Sequence, residues 1–253
     1  MPIKLSAVII TFNEEKNIER CLRSLNDVAD EIVVLDSFST DRTKEICENF
    51  KVRFYQHKFD GYIEQKNRVL QYAAFDWVLS LDADEALSER LANEIKKVKQ
   101  NPDADGYSFN RLNNYCGKWI KHSGWYPDRK LRFWQKKKGK WGGVNPHDRL
   151  MMEKQSKIRH LKGDLLHYSY YSVNEHIEQT HKFSSIAAQE AHKKGQSAGI
   201  VKILTRSFWR FIRDYFIKLG ILDGYYGFVI CSMSAWGTFL KYIKLKELNK
   251  NNN

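Results

Sequence analysis

The sequence predicts an α/β fold built on a Rossmann-like mixed sheet flanked by helices, and two observations carry this prediction. Apolar, β-branched runs alternate with segments of helical periodicity through residues 1–100. Polar side chains follow directly where three of these runs end. Such alternation is typical of right-handed βαβ units, whose parallel strands end at one edge of the sheet.

The first half of the chain contains four predicted strands and three predicted helices. The strands cover residues 4–10, 31–35, 52–56 and 77–81. Apolar residues at helical spacing predict a helix over 18–25, and further helices are predicted from about residue 41 to 50 and over 62–74. Neither a G-x-G-x-x-G fingerprint nor a P-loop occurs, so strand-end side chains must hold the ligand.

The strand-end side chains are the candidate site of this half. They are Thr11, Asn13, Glu14, Asp36, Asp82, Ala83 and Asp84. Because ligands of open α/β sheets bind outside the carboxyl ends of the strands, we expect these residues to face one crevice. The two carboxylates of the Asp82-Ala83-Asp84 triplet suit Mg²⁺ or Mn²⁺ carrying a diphosphate. For Asn13 and Asp36, helix capping is the structural alternative.

The middle of the chain alternates polar and apolar residues at period two. Segments 106–112 and 129–134 therefore predict half-exposed strands that extend the sheet. Between them lies an aromatic-rich loop over 113–128, where Trp125 is a candidate for stacking on a sugar, unless the loop packs on its own aromatic side chains. Arg129 and Arg132 are candidates for phosphate contacts, with solvated strand-edge arginines as the alternative.

Several motifs together resemble glycosyltransferase family 2, which has the GT-A fold. They are AVIITFNEE over 7–15, the strand-ending Asp36 with Ser39 and Asp41, QKN over 65–67 and LDADE over 81–85. GILDGYYG over 220–227 extends the resemblance to the lipopolysaccharide core glucosyltransferase group. The resemblance covers most of the chain, and its first half is the more specific.

The resemblance implies an inverting, metal-dependent transfer of a hexose, expected to be glucose, from a UDP-sugar to a lipid-linked saccharide such as the lipopolysaccharide inner core. The uracil and ribose pocket would be lined by Thr11, Asn13, Glu14 and Asp36. Lys66 and Asn67 would lie near the diphosphate or the sugar. Asp82 and Asp84 would be the metal and ribose contacts, and Asp84 is the stronger metal candidate.

Inversion at an anomeric carbon needs a base for the acceptor hydroxyl, and the family pattern places an acidic residue after the middle strands. We assign this role to Asp148, for which a turn carboxylate paired with Arg149 is the alternative. His167 is a candidate third metal ligand, and His147 is its rival. A histidine flanked by apolar residues is also commonly structural.

Composition indicates the setting of the protein. The 253 residues suffice for one catalytic domain and an appendage. The catalytic domain is predicted over 1–195, with a nucleotide-sugar half over 1–100 and an acceptor half over 101–195. The appendage is predicted over 196–253. A formal net charge of +12 calls for an acidic partner, but no nucleic-acid motif occurs, so we expect no nucleic acid. Four cysteines without paired spacing favour a reducing cytosol.

The C-terminal segment predicts an amphipathic helix with a basic polar face. Its apolar residues, at three- and four-residue steps, are Ile200, Ile203, Leu204, Phe208, Phe211, Ile212, Tyr215, Phe216 and Leu219. Its basic residues are Lys202, Arg206, Arg210, Arg213 and Lys218. This pattern predicts a helix in an anionic membrane interface or one packed on the catalytic domain.

The segment over 224–240 is uncharged but short for a crossing, which favours a re-entrant or interfacial helix. The first predicted strand starts near the N-terminus, so we expect no signal peptide and a peripheral location on the cytoplasmic face of the inner membrane. Two other classes stay open: a nucleotidyltransferase making a nucleotide-sugar, and a noncatalytic membrane-associated saccharide-binding protein.

Overall fold

A computed structural model of the chain describes residues 2–144 and 147–250, which fall into two compact units. Unit 1 comprises Met1–Arg111 and Asp128–Tyr168, and unit 2 comprises Leu112–Pro127 and Ser169–Asn253. Each unit is therefore assembled from two separate stretches of chain. The functional division predicted at residue 195 stays a prediction.

The first half of unit 1 has the predicted alternation of strands and helices. Its elements are β1 Leu5–Thr11, α1 Ile18–Leu25, β2 Glu31–Asp36, α2 Thr43–Glu48, β3 Arg53–Gln56, α3 Tyr62–Tyr72 and β4 Trp77–Asp82. The strands are parallel in the order β3-β2-β1-β4. The predicted strand and helix positions are thus confirmed to within a few residues.

Strand β1 is apolar on both faces because both faces are covered. Leu5 and Ile9 pack in one core with residues of α1, whereas Val8 packs in a second core with Val69 of α3. All of these side chains are fully buried. Burial on both faces is the usual condition of a parallel strand. The parallel pairing of β1 with β2 and β4 brings the carboxyl ends of the three strands to one edge.

The remaining strands bring antiparallel pairs into the sheet. The further elements are β5 Glu85–Leu87, α4 Glu89–Gln100, β6 Gly106–Tyr115, β7 Lys118–Ile120, β8 Asp128–Gln135, β9 Gly139–Val144, β10 His147–Met152 and β11 Ile158–Tyr170. Beyond β4 the strand order is β8-β6-β11-β5, while β9 and β10 form a separate hairpin. The mixed sheet flanked by helices was predicted, and it fits the GT-A fold.

Strand β8 carries a β-bulge. Tyr107 and Ser108 are consecutive on β6, but their partners on β8 are Phe133 and Leu131, so Arg132 is the extra residue. Bulges of this kind bend a strand locally and redirect a side chain, and they are frequent next to functional sites. The bulge therefore gives Arg132 a direction that strand periodicity does not specify.

Unit 2 contains three long helices, α5 Val173–Lys193, α6 Ile200–Ile212 and α7 Gly224–Lys250. The predicted amphipathic helix ends earlier than expected. A π-helical turn over Arg213–Ile217 follows α6, Leu219 takes a left-handed φ of 55°, and a 3-10 turn over Gly220–Asp223 leads into α7. The buried Asp214, ion-paired with Arg213, lies in the π-helical turn, a feature that apolar periodicity cannot reveal.

The GILDGYYG segment, residues 220–227, forms the 3-10 turn before α7 and the first turn of α7 itself. A Cβ on Gly227 would lie 1.9 Å from the carbonyl oxygen of Gly220, so only glycine allows this approach. The buried carboxylate of Asp223 accepts hydrogen bonds from the backbone N–H groups of Lys121 (3.2 Å) and His122 (2.9 Å). The segment thereby fixes the loop after β7 to the N-terminus of α7.

Within the described ranges, no helix by itself has both the length and the apolar character needed to cross a bilayer. The helical stretches Ile200–Ile217 and Gly220–Lys250 meet those criteria only as a pair, and a bend of 70° separates them.

Substituting Gly227 tests the close packing of the GILDGYYG segment. We expect Gly227→Ala to lower the free energy of unfolding by about 1–3 kcal/mol or more, because the added methyl would collide with a backbone oxygen rather than a movable side chain. Urea denaturation measures the change. Gly199→Ala is the matched control, since a Cβ there meets no heavy atom within 4 Å. Equal stability of the two variants would contradict the close packing of Gly227.

Candidate active site

The register of the parallel strands brings the polar strand ends together. Thr11, the last residue of β1, pairs with Asp36 at the end of β2. On the other side of β1, Ile10 pairs with Asp82 at the end of β4. The carboxyl ends of three strands therefore meet at one edge, as the sequence predicts, and Asp82 and Asp84 lie on either side of Ala83, which is buried.

Asp36 and Asn13 organise the loop between β2 and α2. Asp36 is fully buried, and its Oδ2 accepts hydrogen bonds from Ser39 N (2.9 Å) and Gln56 Nε2 (3.0 Å). Asn13 is exposed and left-handed at φ 55°, and its Oδ1 accepts a hydrogen bond from Thr40 N (2.8 Å). Neither side chain caps the helix that follows it, because the N-cap residues of α1 and α2 are Asn17 and Arg42. The capping alternative is therefore wrong, and both side chains instead hold the backbone of the loop at Ser39 and Thr40. Their contact with a nucleotide stays a prediction.

Glu14 has an unusually weak acidity for a carboxyl group. Burial raises its pKa from the ordinary value of 4.5 to about 7, with further repulsion from Asp84 and Asp41, while the hydrogen bond donated by Asn17 Nδ2 (2.8 Å) acts in the opposite direction. Close to neutral pH, Glu14 therefore exchanges a proton readily at the edge where the strand-end carboxylates lie.

Asp82 is neutralised by two cationic side chains of unit 1. Its Oδ1 lies 2.9 Å from Lys66 Nζ, and its Oδ2 accepts a hydrogen bond of 2.9 Å from Arg132 Nη2. Burial alone would raise the pKa of Asp82, but Lys66 and then Arg132 outweigh burial and hold that pKa well below its usual range. Asp82 is therefore ionised, and its negative charge is balanced by Lys66 and Arg132.

Lys66 also joins Asp82 to the predicted base. Its Nζ donates a hydrogen bond of 2.9 Å to Asp148 Oδ2 on β10, and only 3% of Lys66 is exposed. The ammonium lies 4.5 Å from the centre of the Trp141 ring, and the Arg132 guanidinium lies 5.0 Å from it. The indole face therefore stabilises both cations. Asp148 takes part in an ion pair as its alternative predicted, but the partner described is Lys66.

Asp84 has a different partner, His167 on β11. The distance between Asp84 Oδ2 and His167 Nε2 is 3.1 Å, and both side chains are partly exposed. Within 2–144 and 147–250, no group of three or more His, Cys, Asp or Glu side chains is placed to hold a metal ion. The pair supplies two donors of different type. The side chain of the rival His147 lies outside the described residues.

Three other predicted residues have distinct environments. Asn67 exchanges two hydrogen bonds of 3.0 Å with the backbone of Trp141, so its amide ties α3 to β9. Arg129 is exposed on β8, and its charge adds to the effect of burial in lowering the pKa of His160. Trp125 belongs to unit 2, where it packs edge-on against Tyr115 at 5.9 Å in an aromatic cluster. The self-packing alternative for Trp125 is therefore realised in unit 2.

Comparison with known proteins places this geometry in a family. The model of the family described as glycosyl transferase family 2 matches residues 6–157. A glycosyltransferase of Rickettsia bellii that is not characterised further is 31% identical over 97% of this chain and 87% of its own length. The chain belongs to glycosyltransferase family 2.

Two further similarities accompany this assignment. A lipopolysaccharide core biosynthesis glycosyltransferase, LpsC of Rhizobium meliloti, is 27% identical over 97% of this chain and 93% of its own length. The structure of S. aureus TarS residues 1–349 in complex with UDP is 15% identical, with a TM-score of 0.49 over 99% of this chain and 92% of that chain. Family membership makes this protein a glycosyltransferase and disfavours the nucleotidyltransferase and noncatalytic alternatives.

The site of this glycosyltransferase includes residues that sequence reasoning did not single out. Glu85, 1% exposed, accepts a hydrogen bond of 2.9 Å from Asp82 N, and its Oε1 lies 3.4 Å from Arg132 and 3.5 Å from Arg111. Its position directly after the Asp82-Ala83-Asp84 triplet was an available signal. No sequence signal pointed to Trp141, because the position of its side chain depends on how the β9–β10 hairpin packs against α3.

Nine buried side-chain polar atoms make no hydrogen bond within the described residues. Those that concern the site here are Thr11 Oγ1, Arg132 Nη1 and Trp141 Nε1. Buried polar atoms are rarely left unpaired, and each such atom calls for a ligand or a water. Arg132 and Trp141 adjoin the Lys66–Asp82 pair, and Thr11 ends the neighbouring strand. The site therefore offers donors and a hydroxyl to a polar ligand.

Glu14 should make the glycosyltransferase less stable as pH rises. Between the ordinary pKa of 4.5 and the folded value of about 7, the folded chain keeps a proton that the unfolded chain has lost. The free energy of unfolding then falls with rising pH across this window, by on the order of 2 kcal/mol, and Glu14→Gln should remove that fall. Urea denaturation across the window measures it, with Glu19→Gln on α1 as control. Parallel pH profiles for the wild type and Glu14→Gln would contradict the raised pKa.

Proposed function

We propose that the protein is an inverting, metal-dependent hexosyltransferase that moves glucose from UDP-glucose to a lipid-linked saccharide of the lipopolysaccharide core. The observation that carries the proposal is that the two carboxylates at the end of β4 have different partners. The charge of Asp82 is balanced by Lys66 and Arg132, while Asp84 contacts His167. The similarity to LpsC, named for lipopolysaccharide core biosynthesis, supports the acceptor class.

The donor set suits a divalent cation at Asp84 and His167. Lys66 Nζ and Arg132 Nη2 each lie 2.9 Å from a carboxylate oxygen of Asp82. A metal cation bound to Asp82 would be repelled by these two positive charges, so Asp82 is disfavoured as a direct metal ligand. Asp84 Oδ2 and His167 Nε2 are 3.1 Å apart. Asp84 and His167 would hold the cation with one carboxylate oxygen and one imidazole nitrogen. A carboxylate with an imidazole suits Mn²⁺, while Mg²⁺ prefers oxygen donors.

The unpaired polar atoms suit a nucleoside diphosphate. Arg132 would offer Nη1 to a diphosphate oxygen while its Nη2 stays bound to Asp82. Thr11, with Asn13, Glu14 and Asp36 at the ends of β1 and β2, would line the uracil and ribose region. The bound cation would supply electrostatic stabilisation of the departing diphosphate.

Asp148 would act as the general base. The acceptor hydroxyl would give its proton to the Asp148 carboxylate while its oxygen bonds to the anomeric carbon, and the bond from that carbon to the diphosphate oxygen would break. UDP leaves with the electron pair of the broken bond. The hydrogen bond that Lys66 donates to Asp148 Oδ2 orients this carboxylate. The reaction needs no covalent intermediate between the sugar and the protein. One displacement then gives a product of inverted configuration.

Replacing the base should remove transfer but keep donor binding. We expect Asp148→Asn to lower kcat by about 10²–10⁴-fold, because the amide cannot accept the hydroxyl proton. Transfer is measured as UDP release with a lipopolysaccharide core acceptor, and UDP binding by calorimetry. Asp105→Asn is the control, since Asp105 is also ion-paired with a lysine, Lys138, but outside the site. Substantial turnover by Asp148→Asn, or a product of retained configuration, would refute the mechanism.

The metal assignment has a readout independent of turnover. We expect Mn²⁺ to strengthen UDP binding to the wild type in calorimetry, and Asp84→Asn or His167→Ala to abolish this dependence, because each removes one of two donors. His160→Ala, on the same strand, should keep it. An unchanged Mn²⁺ effect in both site variants would show that the cation binds elsewhere.

A further inference from the structure

The apolar stripe of α6 faces away from the helix that α6 packs on. Ile203 is buried and joins residues of α5 and α7 in a small core. The neighbouring apolar side chains Ile200, Val201, Leu204 and Phe208 are exposed by 63%, 76%, 58% and 70%. The alternative in which the stripe packs on the protein therefore holds for Ile203 and not for Ile200, Leu204 and Phe208.

The exposed stripe continues past the end of α6. Phe216 and Ile217, in the π-helical turn, are exposed by 51% and 61%. Together with the four side chains of the helix they form what we call the α6 surface, defined by Ile200, Val201, Leu204, Phe208, Phe216 and Ile217. An apolar patch of this extent on a soluble protein marks a site of interaction.

The charges beside the α6 surface are almost all positive. Between residues 200 and 222 the sequence has five basic residues, Lys202, Arg206, Arg210, Arg213 and Lys218. Asp214 is the one acidic residue of that stretch, and it is 1% exposed and paired with Arg210 (2.6 Å) and Arg213 (2.8 Å). The stretch therefore presents apolar and cationic groups without an exposed carboxylate.

We propose that the α6 surface docks on an anionic lipid bilayer, with α6 lying along the interface. Its apolar side chains would enter the boundary between headgroups and acyl chains, and Lys202 and Arg206 would reach the headgroups with their stems along the apolar zone. The proposal stands on the exposed side chains and charges of unit 2, and it is independent of the donor and base assigned above.

Charge distinguishes the bilayer from a second copy of the chain. Two copies meeting through the α6 surface would bring like charges together, with no exposed acid in the same stretch to compensate them. An anionic bilayer supplies both an apolar interior and negative headgroups. A groove of about 550 Å³ continues the surface towards α7, and its apolar lining, which includes Leu204, Phe239 and Ile243, suits an acyl chain. Its charged lining is Lys246, Lys250 and the exposed Glu247, so cations outnumber the one carboxylate there.

Vesicle flotation of the full chain, without substrates, tests the apolar part. We expect the wild type to float with vesicles of phosphatidylcholine and phosphatidylglycerol, and Val201→Ser, Leu204→Ser, Phe208→Ser combined to lower partitioning by about tenfold or more. Ile177→Ser with Phe183→Ser, two exposed apolar residues of α5, is the matched control. Equal loss in the control, or no loss in the α6 variant, would overturn the assignment.

A single charge substitution keeps the test decisive if the triple variant folds poorly. Arg206→Gln should lower binding to phosphatidylglycerol vesicles by about fivefold, the equivalent of about 1 kcal/mol per basic residue near an anionic surface. Lys51→Gln in unit 1 is the control and should bind as the wild type. No effect of Arg206→Gln, with equal flotation on pure phosphatidylcholine, would overturn the role of anionic headgroups.

Two further results would replace the proposal. If the wild type in lipid-free solution forms dimers by light scattering and the α6 triple variant does not, the occupant is a second copy. If membrane-bound protein resists extraction by alkaline carbonate, the bent helix pair crosses the bilayer instead of lying on it. Release by carbonate together with monomers in solution supports interfacial docking.

Discussion

The candidate active site depends on the two ion pairs that the buried ammonium of Lys66 forms. This ammonium lies between the carboxylates of Asp82 and Asp148, so one side chain of α3 connects β4 with β10. Breaking a buried ion pair by removing one partner costs about 3–5 kcal/mol, because the remaining charge is left without compensation. Here Asp148 would lose its described partner, and Asp82 would lose one of its two. The positions of Asp82 at the end of β4 and of the proposed base Asp148 are therefore coupled through one residue.

The same ion pairs give the two carboxylates of the Asp82-Ala83-Asp84 triplet unequal properties. Asp82 has its charge balanced inside the protein, and Asp84 has only the neutral or protonated imidazole of His167 as a described partner. The triplet is thus one motif in sequence whose two carboxylates have different partners in space. In the proposed function, Asp82 would order the protein while Asp84 would meet the cation.

Much of the fold followed from the sequence because its signals are local. Strands such as β1 are short apolar runs, and the polar residues after them lie at one edge for any parallel sheet. Pairings across long stretches of chain were not accessible. The contact between Lys66 and Asp148 joins α3 to β10, the direction of Arg132 depends on a bulge, and the amide of Asn67 binds the backbone of Trp141. In the C-terminal region, periodicity identified the apolar stripe of α6 but not whether it is covered.

The way Asp223 joins the segments of unit 2 has a practical consequence. Its carboxylate binds the backbone of Lys121 and His122, which precede it by about a hundred residues in the chain. Truncating the protein before Asp223 would leave those N–H groups without their acceptor and would disturb a loop far from the cut. Loss of lipid binding or of activity in a truncated chain would then have two explanations. Side-chain substitutions on the intact polypeptide separate them, and limited proteolysis should be interpreted with the same caution.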